Sequence, residues 1–255
     1  MKKALSYSLI FMGIQLLASA LVMGIARLLG GDELMHSPYV SIMGMIVFSL
    51  TSMAVFLHFG WATASASYLQ SRPWSVLCWT VLAAIGVVVP SMALQEQLPA
   101  LPNLVEKELM EIMSQRGGYF VICLLAPLAE ELVFRGAILR ALLAWKPANH
   151  WAMIAVSALL FALVHMNPAQ MPHAFLMGLL LGWMYYRTGS IVPGVAFHWI
   201  NNTIAFLLTR IYPDPNIRLV DVLGTQRNVG AAVIFSLFIL LPSLYQLWLL
   251  MKKEK

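Results

Sequence analysis

Charge is the scarcest property of this sequence. Only 11% of its 255 residues are Asp, Glu, Lys or Arg, while 60% are hydrophobic; soluble domains carry roughly 25% charged residues. With a mean hydropathy of +0.79, the chain lacks the polar surface that a water-soluble globule needs. Disorder, collagen and coiled coil are excluded by the same figures. Cysteine is scarce too. Cys78 and Cys123 lie in apolar stretches without a CxxC partner, so neither a disulfide framework nor a thiolate metal site is legible and both read as packing residues. No basic cluster with interleaved aromatics occurs away from the termini, which excludes nucleic acid as a partner. The net charge of +5 fits basic cytoplasmic loops of a membrane protein. Fixed-period repeats and low-complexity segments are absent.

What the chain has instead is long charge-free runs. A helix needs about 20 apolar residues to cross the hydrocarbon core. Uncharged stretches of 23, 38 and 23 residues separate Lys3, Arg27, Glu33, Arg72 and Glu96, with a polar stretch at 95–118 after them. A further 40 uncharged residues lie between Lys146 and Arg187, 22 between Arg187 and Arg210, and 24 between Arg227 and Lys252. Asn167-Pro168 and Pro172 mark a bend inside the longest. The expectation is an all-α, polytopic membrane helix bundle of about eight transmembrane helices, near 5–28, 39–62, 74–94, 119–142, 151–166, 169–187, 190–209 and 229–250. The first run is too long for a cleaved signal peptide and lacks a small-residue cleavage site. Eight spans put both termini on one side. Alternating the loops places nine basic residues with the termini (2, 3, 72, 140, 146, 187, 252, 253, 255) and six opposite (27, 107, 116, 210, 218, 227), which makes the termini cytoplasmic. The implied location is a bacterial inner membrane.

Nine of the eleven acidic residues fall in loops or tails; the exceptions are the adjacent Glu130 and Glu131. A carboxylate within a span needs a partner, a wet cavity or a proton. An interfacial or soluble helix would avoid that cost, but Tyr119–Ala129 is uncharged and Val133–Trp145 is apolar apart from Arg135 and Arg140. Pro127 is a candidate kink just before the pair. Successive helical residues diverge by about 100°, so the two carboxylates cannot share a direction. Glu131 and Arg135 have i,i+4 spacing for an internal ion pair, leaving Glu130 the freer carboxylate. Phe161 and His165 stand one turn apart on the fifth expected span; His198 and Asn202 do so on the seventh. A single histidine of this kind reads as a hydrogen-bonded core residue. Two of them in separate spans, together with the Glu pair, read as a site. His36, His58 and His150 read as loop or interfacial residues and His173 as structural.

The ordered set Glu130-Glu131-Leu-Val-Phe134-Arg135, Phe161-x-x-x-His165 and His198-x-x-x-Asn202 resembles the CPBP family of intramembrane proteases, which includes the CAAX prenyl endopeptidases and the bacterial Abi proteins. Its motifs, EExxxR, FxxxH and HxxxN, all occur in order, over about residues 118–208. This divides the chain into N-terminal helices 1–3 with the polar loop (1–117), a protease-like core (118–208), and a loop with a last helix (209–255). The resemblance implies an intramembrane endopeptidase whose site opens toward the cytoplasm. Glu130 would activate the attacking water, assisted by His165. His198 and Asn202 would stabilise the oxyanion, and Glu131, Arg135, Phe134 and Phe161 would support the site.

The chemistry is sound on independent grounds, since amide hydrolysis needs a base in reach of water and donors aimed at the developing oxyanion. The expected partners are a peptide or membrane-protein substrate and the lipid bilayer; nothing in the chain fixes an oligomeric state. No cofactor is expected. The alternative is a zinc-dependent version of the same protease with Glu130, His165 and His198 as ligands, although no HExxH spacing is present. Two further alternatives are a non-catalytic membrane immunity or scaffold protein and a proton-coupled transporter built on intramembrane carboxylates and histidines.

Overall fold

The structure, a computed structural model, describes residues 1–63, 65–214 and 216–251. The terminal lysines 252, 253 and 255, assigned above to the cytoplasmic side, lie outside the described residues. The chain is 82% helical without strands among the described residues. The helices are α1 (Lys2–Met35), α2 (Pro38–His58), α3 (Ala66–Gln70), α4 (Trp74–Gln95), α5 (Glu106–Ser114), α6 (Ala126–Val133), α7 (Arg140–Trp145), α8 (His150–Val164), α9 (Met171–Thr188), α10 (Val192–Ile211), α11 (Leu219–Leu223) and α12 (Gln226–Leu250). Each expected span coincides with a helical segment. By length and apolarity, five segments among the described residues are able to cross a membrane: Lys2–Met35, Pro38–His58, Trp74–Gln95, Pro147–Val164 and Gln226–Leu250.

Local chemistry sets the boundaries. Ser37 accepts a hydrogen bond from the Tyr39 amide, with Pro38 at the first position of α2, where its missing N–H costs nothing. Thr225 caps α12 by accepting from the Asn228 amide. At the end of α9, Gly189 takes a left-handed conformation (φ 65°) that closes the last turn onto the Tyr185 carbonyl, a conformation glycine adopts without a Cβ penalty. Two expectations are extended here. The first helix runs on to Met35 with a break at Gly31, and the polar stretch 95–118 holds α5, whose Ile112 and Met113 are buried while its Glu108 accepts from the Ser41 hydroxyl of α2.

The fourth expected span is not one regular helix. Two π-helical segments, Phe120–Leu125 and Phe134–Leu139, flank α6, so the Glu pair sits between two register changes. Pro127 accounts for part of this. The Ala126 amide bonds back to the Val121 carbonyl in π register; the next π bond would need an N–H on residue 127, which proline lacks.

Small residues let the helices approach closely, as membrane helix packing requires. A Cβ on Gly178 of α9 would stand 2.8 Å from Ala158 of α8, and one on Gly86 of α4 would stand 2.7 Å from the Leu240 amide nitrogen of α12. The core around the fourth segment joins Phe11, Phe56, Phe134, Leu139 and Phe161, so α1 and α2 belong to the same packing unit as the motif-bearing helices. Cys123 is buried as expected, but Cys78 is exposed on α4, because α4 turns that side away from the bundle.

Two sets of polar clamps define the opposite ends of the bundle. At one end, Arg140 donates to the Gly60 and Trp61 carbonyls, the Ser65 hydroxyl accepts from the Ile191 amide, and Arg187 donates to the Trp248 and Met251 carbonyls. At the other, Asn167 accepts from the Leu104 amide, Arg210 donates to the Met113 and Ser114 carbonyls, and Glu96 accepts from the Leu219 amide. The first end also carries Lys2 and Lys3, which begin α1.

Candidate active site

Glu131 and Arg135 form the buried centre of the site. Arg135 Nη1 donates to Glu131 Oε1 at 2.7 Å, and both side chains are essentially inaccessible. A one-turn ion pair of this kind is what i,i+4 spacing permits, and burial makes it intolerant of losing either member. His198 Nδ1 reaches the same oxygen at 3.3 Å. The acid on α6 thus fixes the imidazole presented by α10. Backbone-close packing enforces this, since a Cβ on Gly194, one turn before His198, would lie 2.8 Å from Glu131 Oε2.

Phe161 joins the remaining groups. The Arg135 guanidinium lies over its ring at 4.5 Å, a cation–π contact. Its ring stands nearly perpendicular to those of His165 and His198, with centroids 4.8 and 5.9 Å away. Phe134 packs against it edge-on at 5.1 Å. His165 ends α8, and its Nδ1 donates to the Phe161 carbonyl at 2.7 Å; that bond leaves Nε2 as the acceptor in the neutral ring.

Glu130 turns away from the ion pair. Its side chain keeps 19% of its accessibility, and its Oε2 is 3.8 Å from His198 Nε2. It lines a cavity of about 580 Å³ together with Phe161, His165, His198 and Asn202. Glu131 and Arg135 are not on the cavity wall, so the two adjacent acids occupy distinct environments. Asn202 donates from its amide to the Ile122 carbonyl at 3.0 Å. That carbonyl belongs to the π segment whose next donor position is Pro127; the asparagine supplies the hydrogen bond that the proline cannot. One of its two amide hydrogens remains for another acceptor.

Sequence reasoning missed two members of the cavity wall. His173, read as structural, faces the cavity, and its Nε2 meets Asn201 Nδ2 at 3.4 Å. Asn201 lies three residues after His198, on a neighbouring line of the same helix; the i,i+3 relation was the available signal. The cavity also takes Phe11, Ser41 and Glu108 from the N-terminal helices and α5, outside the motif region.

Two expectations about direction conflict. The cavity walls come from Glu108 and Met113 of α5, the start of α9 at Gln170, and the end of α10 at Thr209. These belong to the end of the bundle opposite Lys2 and Lys3. Cytoplasmic termini and a site opening toward the cytoplasm therefore cannot both hold in one chain. The zinc alternative gains nothing from the geometry. Among the described residues no three His, Cys, Asp or Glu groups gather closely enough to hold a metal ion, and Glu130, His165 and His198 do not converge as a ligand set.

Residues 114–204 match the family model described as type II CAAX prenyl endopeptidase Rce1-like. Over that stretch the chain is similar to that family. No curated protein and no solved structure matches the chain. The matched segment holds every motif residue from Glu130 to Asn202, and its surroundings are those of an integral membrane protein, with apolar helices long enough to span on both sides of it.

Proposed function

We propose that this chain is an intramembrane endopeptidase in which Glu130 activates water for attack on a peptide bond of a membrane-associated protein or peptide. The observation that carries the proposal is the division of labour between adjacent acids. Glu131 is neutralised by Arg135, whereas Glu130 stands on the cavity wall without a lysine or arginine partner among the described residues, its Oε2 3.8 Å from His198 Nε2. A general base must reach both water and substrate, and of the two adjacent acids only Glu130 lies on the cavity wall.

The other roles follow from the hydrogen bonds. His165, held at Nδ1 by Phe161, presents Nε2 to share the water's proton with Glu130. His198, whose Nδ1–H is held by Glu131, donates from Nε2–H in its imidazolium form, and Asn202 offers its second amide hydrogen; donors held in place before the reaction stabilise an oxyanion most effectively. Phe161 and Phe134 exclude water behind the reacting groups. The matched family description names prenylated CAAX substrates; nothing in this chain calls for a prenyl group, and a peptide or membrane-protein substrate satisfies the same chemistry without a prenylated partner.

We place the termini in the cytoplasm, because nine basic residues lie at their end and six at the other. The cavity then opens on the extracytoplasmic side of a bacterial inner membrane, and the substrate is a segment reachable from there. N-terminal proteomics of membranes carrying the wild-type protein or Glu130→Gln tests the activity: new N-termini should appear with the wild type and vanish with the variant, and identical profiles would refute it. Labelling of single cysteines at positions 72 and 101 with a membrane-impermeant maleimide, in a background without Cys78 and Cys123, tests the orientation. Position 101 should react in intact cells and position 72 only after lysis; the reverse pattern would invert the assignment.

A further inference from the structure

A second cavity, of about 740 Å³, lies at the end of the bundle occupied by Lys2 and Lys3, away from the reacting groups. Among the described residues three cationic side chains line it, Lys2, Lys3 and Arg140, and no acid does. Arg140 is held in place by bonds from its Nη2 to the Gly60 and Trp61 carbonyls, leaving the rest of its guanidinium to face a ligand. Tyr7, Trp61 and Trp145 form aromatic walls, with Tyr7 stacked on Trp61 at 5.1 Å. The floor is a run of alanines at 137, 141 and 144 along one face of the fourth segment, smooth enough to take a hydrocarbon chain.

This combination has a specific chemical complement. Phosphate needs cations, an acyl chain needs an unbroken apolar floor, and tryptophan and tyrosine favour the level where the two meet. We infer that this cavity binds a glycerophospholipid with a net negative headgroup, its phosphate at Lys2, Lys3 and Arg140 and one acyl chain along Ala137, Ala141 and Ala144. Charge complementarity decides the occupant: with three cations and no acid on the wall, a zwitterionic lipid leaves positive charge uncompensated. The site is independent of the proposed proteolysis. It joins α1 to the fourth segment, which carries the Glu pair one to two turns before the alanine floor, so the lipid fastens α1 against the helix that supports the site.

Native mass spectrometry of the purified protein tests this, with phosphatidylglycerol, phosphatidylcholine and inorganic phosphate as separate probes. Phosphatidylglycerol should be retained in preference to phosphatidylcholine, and inorganic phosphate should not displace it at millimolar concentration. Each lysine near an anionic group contributes about fivefold in affinity, so Lys2→Gln/Lys3→Gln should weaken phosphatidylglycerol retention by roughly twenty-five-fold. Arg72→Gln, at the same end of the bundle but off the cavity wall, should leave it unchanged. Trp145→Ala should weaken retention of phosphatidylglycerol without altering the charge. Equal retention of the two lipids, an unaltered Lys2→Gln/Lys3→Gln protein, or displacement by free phosphate would overturn the inference.

Discussion

Asn202 donates its side-chain amide to the Ile122 carbonyl across 3.0 Å, tying α10 to the π segment that precedes the catalytic glutamate proposed here. The bond exists because Pro127 leaves that carbonyl without its next backbone donor, so the asparagine has a structural task as well as the proposed chemical one. Asn202→Ala should therefore lower stability by about 1–3 kcal/mol, the usual cost of an orphaned polar group. It should also lower turnover by roughly 10²–10³, the cost of a lost oxyanion donor. Unfolding midpoints in detergent and turnover of a peptide found by N-terminal proteomics measure the two separately. A stability loss with unchanged turnover would restrict Asn202 to the structural task.

Gly194 is the second point where backbone proximity controls the site. Its missing Cβ leaves room for Glu131 Oε2 at 2.8 Å, and Glu131 cannot withdraw while Arg135 and His198 hold its other oxygen. Gly194→Ala should displace the pair and cost about 1–3 kcal/mol as overpacking, with most activity lost. Gly230→Ala on α12, whose added Cβ meets nothing within 4 Å, is the control and should retain full activity. Equal behaviour of the two variants would show that the contact does not matter.

Glu131→Gln and Arg135→Ala should each destabilise by about 3–5 kcal/mol, because each leaves a buried charge alone. The double variant should cost much less than their sum. A double-mutant cycle on unfolding midpoints measures the coupling; simple additivity would mean that the two residues do not act as a pair. Glu130→Gln, on the cavity wall, should leave the midpoint unchanged.

Which of these features were legible beforehand follows from their physical range. The helices could be read from charge-free runs, because membrane insertion is decided by composition over about 20 residues. The Glu131–Arg135 pair could be read because i,i+4 geometry is local. The π segments could not, since they depend on the backbone register around Pro127 and on the Asn202 side chain 80 positions away. Nor could the meeting of His173 with Asn201, which needs the relative rotation of α9 and α10. Phe161 was placed in a motif, but its contacts with Arg135, His165 and His198 together are tertiary. The two expectations about direction conflict because the opening was carried over from the family resemblance, whereas the side of the termini was read from loop charges, and loop alternation puts α5 opposite the termini.

The choice between a water activated by Glu130 alone and one activated on a metal turns on His165. Its Nδ1 is bonded to the Phe161 carbonyl, which fixes the ring and directs Nε2 outward, an arrangement that serves proton sharing and metal ligation equally. The carboxylate favours the first. Glu130 lies 3.8 Å from His198 Nε2, and with His165 these groups line a shared cavity without forming a metal-holding cluster among the described residues. Activity should therefore survive prolonged treatment with EDTA and 1,10-phenanthroline, and elemental analysis should find no stoichiometric zinc. Asn202→Ala adds a second arm: as an oxyanion donor its loss is indifferent to added Zn²⁺, whereas a role in holding metal would make the loss recoverable. Restoration of chelator-treated enzyme by one equivalent of Zn²⁺ would replace the glutamate mechanism with a metal-bound water, and Glu130, His165 and His198 would then have to move together to ligate it.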